Sequence, residues 1–312
     1  MYGDTITTED ITSGRFMFYK SSSKTIPFSL NFKSNTTIDL SDIFSEAVNL
    51  EYLPKINNLK LSIVRDFARG AINLKEIPKD YFDNWDLSYL SNSTNNYTGD
   101  ASYLFYNCRS LRSIPVGFLN GMNPKISYYY SYYYSGFNSC YCLDELIDLP
   151  IPYTATWTNN AFSNTFTSCA RLKRLTFATQ EDGSPLIKEW KNQVIDLSEV
   201  GWGISRYTIV SCNNSITMDK YVDSDEKYQA LKNDPDWFTY GSKWSRYNKT
   251  SAIETINSLP DTSAYLATAG GTNTIKFKGG SGSSTDGGAI NTMTEEEIAV
   301  AVAKGWTVTF VP

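Results

Sequence analysis

Five stretches of this chain repeat one pattern, and a repeat at this scale decides architecture before any other signal. Phe105, Cys108, Leu111, Ile114 and Pro115 spell F-x-x-C-x-x-L-x-x-I-P. Phe137, Cys140, Leu143 and Leu146 spell it again, as do Phe166, Cys169, Leu172 and Leu175. Phe44, Ala47, Leu50, Leu53 and Pro54 give an earlier copy with Ala in the Cys place. Phe67, Leu74, Ile77 and Pro78 give a looser copy, with one extra residue between the Phe and the Leu. The segment GRFMFYKSSSKTIPFSL reads as a faded further copy.

The aligned leucines, Leu50, Leu74, Leu111, Leu143 and Leu172, are separated by 24, 37, 32 and 29 residues. A basic period near the shortest of these, lengthened by insertions, fits leucine-rich repeats. The F-x-x-C-x-x-L part has the spacing of one helical face. The following I-P marks an exit into extended chain, because a residue before Pro avoids the helical region. The expected fold class is therefore α/β: a leucine-rich-repeat solenoid with a short strand plus a short helix or turn per repeat, closed by a small C-terminal α/β capping module. The expected boundaries are 1–37 for an N-terminal cap or degenerate repeat, 38–210 for the solenoid, 211–250 for a polar connector and 251–312 for the C-terminal module. In that module Ser251 caps a helix that Pro260 stops. Thr274 to Lys278 reads as a strand. Thr294 and Glu297 form a capping box, Gly305 ends the helix they start, and Trp306 to Val311 alternates as a last strand.

Composition excludes several functions. The chain has 312 residues, 41% of them hydrophobic, and a net charge of -5, which argues against a nucleic-acid groove. It contains no His, so Ser-His-Asp and Cys-His catalysis cannot be built. No apolar run is long enough to span a membrane. With Met1 taken as a native start, the lack of a basic then apolar leader predicts no secretory signal. The five cysteines are too few and too regular for a disulfide framework. Cys108, Cys140 and Cys169 are expected to be rungs of a core ladder, with Ala47 in the same slot. Cys142 and Cys212 fall outside the pattern and their roles stay open. No cofactor and no metal is expected.

Asp144, Glu145 and Asp148 form an acidic cluster that could serve glycoside hydrolysis, although charges on a repeat face are ordinarily just solvated. Gly279, Gly280, Ser281, Gly282 and Asp286 resemble one calcium-binding glycine repeat, but such sites need tandem copies. No catalytic residue is assigned. The aromatics are the better candidates, since twenty-two Tyr and seven Trp are many for this length. Tyr and Trp supply large contact area at low entropy cost. The run Tyr128 to Tyr134 would place Tyr128, Tyr130, Tyr132 and Tyr134 on one face of a strand. With Trp157 they form the expected contact surface.

The repeat copies resemble the BspA-like leucine-rich repeats of bacterial surface proteins. The tail, SAIETINSLPD, then TIKFKG, then MTEEEIAVAVAKGWTVTF, looks like the closing repeat of leucine-rich proteins from gut Bacteroidetes and their phages, where it commonly ends tail-associated or fibre-like proteins. The resemblance covers roughly residues 38 to 177 and 251 to 312. It implies a non-enzymatic binding or structural protein: a phage virion component, assembled in the host cytoplasm, that mediates host-surface attachment or virion protein contacts. The implied partners are other virion proteins or a host cell-surface protein or glycan, with no nucleic acid and no membrane insertion. Fibres of this kind are often trimeric, so a homotrimer is one expected assembly. The alternative is a bacterial cell-surface adhesin of the same repeat class, and a third reading is a glycan-degrading enzyme.

Overall fold

Two residues in the left-handed region, four apart, mark each copy of the repeat. The pairs are Phe16 and Lys20, Asp42 and Glu46, Asp66 and Gly70, Tyr103 and Asn107, Ser135 and Ser139, and Asn164 and Ser168, all with φ between +52° and +72°. The computed structural model describes residues 5–8, 11–32, 36–57, 59–86, 102–116, 135–149, 162, 164–169, 171–178, 190–198, 200, 247–279 and 289–312. A left-handed residue cannot continue a right-handed helix. The F-x-x-C-x-x-L stretches are accordingly tight turns, although their spacing is that of a helical face.

These turns lie on one another. The amides of Asp42, Phe44 and Glu46 donate to the carbonyls of Arg65, Phe67 and Arg69 at 2.6–3.1 Å. Asp66, Ala68 and Gly70 donate in the same way to Ser102, Leu104 and Tyr106, and Phe16, Phe18 and Lys20 to Ser41, Ile43 and Ser45. Phe105 and Asn107 then reach Gly136 and Asn138, and Phe137 and Ser139 reach Thr165 and Thr167. This ladder corrects the alignment of the looser copy. Counted from its first left-handed residue, that copy is Ala68, Ala71, Leu74 and Ile77, with no extra residue. Phe67 sits one place earlier, beside a small Ala68, and its ring packs edge-on to Phe44 at 5.3 Å and to Phe105 at 6.2 Å.

The expected leucine-rich-repeat solenoid is not what forms. Among the described residues the fold is mixed α/β, with short strands in four small parallel sheets and three α-helices, and no solenoid. β1 (Thr5–Thr8), β2 (Ser29–Phe32) and β4 (Ile56–Asn57) make one sheet. β3 (Thr37–Asp39), β5 (Leu59–Ile63) and β6 (Trp85–Asp86) make another. β7 (Glu145–Leu149) pairs with β8 (Arg174–Phe177) alone. Proline explains much of the fragmentation. In the three copies ending L-P or I-P, pairing shrinks to single bridges, Tyr52 to Glu76 to Ser113 and on to Glu145, each of the first three lying two residues before Pro54, Pro78 and Pro115. Pro has no N–H to extend a ladder. The copies at Leu146 and Leu175 lack that Pro, and there β7 and β8 form. Even β7 carries a register shift, next to Asp148 with φ +52°.

The three thiols behave as the sequence leads one to expect. Cys108, Cys140 and Cys169 are free and fully buried. Each S–H donates to a carbonyl of the preceding turn, of Ala68, Phe105 and Phe137, at 3.0–3.2 Å. Ala47 and Ala71 occupy the equivalent buried places. Burial pushes all three thiols up, Cys169 to about 12. Cys142 is disulfide-bonded, and Cys212 lies outside the described residues.

At the C-terminal side β9 (Val194–Leu197), β10 (Asn273–Lys278) and β11 (Trp306–Val311) form a parallel sheet in chain order. Three helices accompany it: α1 (Lys249–Ser258), α2 (Ser263–Ala269) and α3 (Glu295–Ala303). α3 has the expected Thr294 and Glu297 capping box, and Gly305 follows it with φ +83°. A Cβ on Gly305 would lie 2.9 Å from both Leu266 and Thr262, so glycine is required there for space as well as conformation. The cap of α1 is Asn248, not Ser251. Ser251 is the third residue of the helix, and its hydroxyl oxygen accepts a hydrogen bond from the Asn248 amide. α1 packs on β8, where Phe177 N donates to Ser258 and Thr255 donates to Leu175 O. Buried Asn273 ties the rest together: its amide donates to Trp190 O and Thr262 Oγ1, both at 3.0 Å, and its oxygen accepts from Gln193 N.

Two outcomes follow. Gly70→Val, which puts a β-branched residue at φ +72°, should destabilise the fold by about 2 kcal/mol in urea unfolding, and Gly70→Asn by clearly less. The thiols give a pH dependence. Their folded pKa values are raised, so their contribution is complete below the unfolded thiol value and is lost as pH rises through the folded values. Above pH ~9 the wild type should lose stability relative to a Cys108→Ala, Cys140→Ala, Cys169→Ala variant by up to about 1.4 kcal/mol per pH unit per thiol. Parallel stability curves for the two proteins from pH 8 to 11 would refute this.

Candidate interaction surface

The turn geometry divides side chains by position. The second, third and sixth residues of the turns from Asp42 onward are buried, while Phe16 and Tyr103 in the first place, Tyr19, Arg69 and Tyr106 in the fourth, and Arg109 and Tyr141 in the seventh are exposed or half-buried. Those outer positions carry an aromatic and cationic ridge. On the third and fourth turns the Arg69 guanidinium lies over two rings, 5.2 Å from Tyr103 and 5.6 Å from Tyr106. The two rings are themselves edge-on at 5.5 Å. Arg69 is exposed but anchored, since it pairs with Asp66 at 3.3 Å, and Asp66 also takes Arg65 at 3.1 Å. On the next two turns Arg109 donates to Asn107 at 2.6 Å and lies 5.7 Å over Tyr141.

The first turn repeats the theme. Arg15 lies over Phe16 and Lys20 over Tyr19, with the two rings edge-on at 5.5 Å. Lys20 also pairs with Glu46 at 3.4 Å, and its ammonium is held above its usual range by Tyr19 first and Glu46 second. Asp42, stacked between these groups, has its carboxyl pushed up by burial and then by the neighbouring Asp66. Cation–π pairs at exposed sites contribute roughly 0.5–1 kcal/mol each, enough to hold rings in place. The result is a line of oriented Tyr and Arg, residue types that dominate binding hot spots. Sequence inspection missed it because the pairs join different copies. Reading the first, fourth and seventh places of each copy across the alignment would have found Tyr103, Arg69, Tyr106, Arg109 and Tyr141.

The acidic cluster is accounted for by ion pairs. One residue per copy forms a second column, in which Glu51, Lys75, Arg112, Asp144 and Lys173 each donate a backbone N–H to the preceding member, beginning from Lys24. Glu51 pairs with Lys75 at 2.6 Å and Lys24 at 3.6 Å, and the Lys75 hydrogen bond holds its carboxyl below the usual range. Asp144 takes Arg171 at 3.0 Å, and Glu145 takes Lys173 at 3.4 Å and Arg174 at 3.8 Å. Arg174 also forms a forked pair with Glu254 of α1. Asp148 accepts from Thr176 Oγ1 at 3.5 Å, while its amide donates to the same hydroxyl. These acids tie successive turns and α1 together.

The sequence-assigned contact residues Tyr128, Tyr130, Tyr132, Tyr134 and Trp157 lie outside the described residues, as do Gly280, Ser281, Gly282 and Asp286. Among the described residues no cluster of Cys, Asp and Glu is arranged to hold a metal ion, and no helix is long and apolar enough to cross a membrane. No family model, curated protein or solved structure matches the chain.

If Asp144 and Arg171 act as a structural pair, a double-mutant cycle with Asp144→Asn and Arg171→Gln should give a coupling energy of about 0.5–1 kcal/mol in unfolding free energy. Zero coupling would leave the two side chains energetically independent.

Proposed function

We propose that this chain acts by binding, as a phage virion component, tail- or fibre-associated, that contacts a host-surface protein or glycan or another virion protein. The observation that carries the binding half is the ridge of Arg69, Tyr103, Tyr106, Arg109 and Tyr141. Its rings are fixed by cations already anchored to Asp66 and Asn107, so little ordering remains to oppose association. The virion half is supported by the resemblance of residues 251 to 312 to the closing repeat of tail-associated proteins. The ion pairs that occupy Asp144 and Glu145 favour binding over glycan hydrolysis, because both acids are committed to holding turns together. The tyrosines of the 128–134 run are a second contact surface in this proposal.

Mass spectrometry of purified particles tests the virion assignment, which fails if the chain is absent from them. Recovery from bacterial cell envelopes instead would favour the adhesin. For the surface, Arg69→Ala with Tyr103→Ser and Tyr106→Ser should weaken attachment to host cells or virion proteins by roughly tenfold or more, with an unchanged circular dichroism spectrum. Retained attachment in that variant, with loss in Tyr130→Ser, Tyr132→Ser, Tyr134→Ser, would move the contact to the tyrosine run.

A further inference from the structure

Among the described residues β11 is an edge strand without the usual protection of charge, proline or bulge. It pairs in parallel with β10 from Asn273–Trp306 to Lys278–Val311, and its other edge meets no strand among the described residues. Its sequence, Trp306 to Val311, is W-T-V-T-F-V, with no charge and no proline. Proteins that must stay apart place lysine, proline or a bulge on such an edge, because open N–H and C=O groups template pairing. Beside it stand exposed apolar side chains: Val302 at 59%, Phe310 at 38% and Val300 at 37%.

The first strand in chain order mirrors this. Among the described residues β1 is the outer strand of its own sheet and pairs only with β2, and it reads T-I-T-T, again without charge. The turn that follows is open too. The carbonyls of Arg15, Met17 and Tyr19 stand in the places where Ser41, Ile43 and Ser45 accept from the turn before, and they accept no hydrogen bond among the described residues. Phe16 is 47% exposed there, and Ile11, Met17, Phe18 and Phe28 are only partly buried.

We infer that copies of this chain associate head to tail, the free edge of β11 pairing in parallel with the free edge of β1 of a second copy. Every strand pair among the described residues is parallel, and the outer strands β1 and β11 are the first and last in chain order. A second copy placed beyond β11 therefore continues the same strand direction, with the Phe16 and Met17 end facing Val302 and Phe310. A heterologous contact of this kind gives an open filament, or a ring if the rotation closes. It stands on the two strand edges and does not depend on the binding proposal.

The test uses the full 312-residue chain. Sedimentation should show an average mass that rises with concentration past that of a dimer, or a closed ring of three or more copies. Thr307→Lys with Phe310→Lys should weaken association by roughly tenfold or more, with the fold retained by circular dichroism. Thr307→Cys and Thr7→Cys chains mixed with a short bis-maleimide should cross-link to each other, and neither should do so alone; the three free thiols among the described residues are buried. A chain that stays monomeric at all concentrations overturns the inference. So does cross-linking of Thr307→Cys chains alone, which marks a two-fold β11 to β11 contact, and so does association unaffected by the lysines.

Discussion

The hydrogen bonds passed from turn to turn are what the rest of the structure depends on. In the first three turns the amides of the first, third and fifth residues donate to the next turn, in the two that follow those of the third and fifth do, and in all of them the first and fifth residues are left-handed. That backbone shape costs about 1–2 kcal/mol at each non-glycine position. Buried side chains offset it. Phe44, Ala47, Leu50 and Leu53 of one turn are at most 1% exposed, and their equivalents from Ala68, Ala71, Leu74 and Ile77 through Phe166, Cys169, Leu172 and Leu175 are buried as well. A fully buried Leu or Phe contributes roughly 1.5–3 kcal/mol. The small residue in the sixth place is dictated by the same geometry. It sits against a carbonyl of the preceding turn, where Cys108 and Cys140 fit because a thiol is small and donates to that oxygen, and where Ala47 and Ala71 fit because they are smaller still.

Sequence pattern located the core well and the backbone poorly. The F-x-x-C-x-x-L positions are buried as their period requires, because burial follows spacing whichever regular conformation supplies it. The same spacing could not tell a helical turn from a turn closed by two left-handed residues. What distinguishes them is a pair of unremarkable residues, such as Asp42 and Glu46, whose φ no motif announces. The strands failed for a related reason. The I-P signal predicts an exit into extended chain, and the Pro that supplies it follows a single bridge and not a strand. The capping box at Thr294 and the strand at Trp306 were legible because local chemistry alone specifies them. The Asn248 cap was missed by three residues because Ser251 is itself a good cap; it is used instead as the returning partner.

The C-terminal helices attach through polar groups that leave no slack. α1 covers β8 with a hydroxyl on Leu175 O, a hydroxyl under Phe177 N and a forked Arg174 pair to Glu254. Asn273 then satisfies groups from two other segments at once. Buried polar networks stabilise little unless every member is paired, and they then favour one arrangement over its near alternatives. An apolar α1 could slide along β8, whereas one carrying Thr255, Ser258 and Glu254 at fixed places cannot. The junction between turns and helices is therefore specified in register as well as in area.

The candidate interaction surface and the motif are complementary in a literal sense. Core packing uses the second, third, sixth, ninth and twelfth places of each turn, and the turn-to-turn ladder uses the backbone. Among the first, fourth, fifth and seventh places, the side chains that stay at the surface are released from both duties. Arg69, Tyr103, Tyr106, Arg109 and Tyr141 occupy those places, and each pairing crosses from one copy to the next. Any single copy then looks ordinary: one Tyr here, one Arg there. The ridge exists only after stacking brings adjacent copies within about 5 Å, so it could not have been spelled in the repeat that creates it.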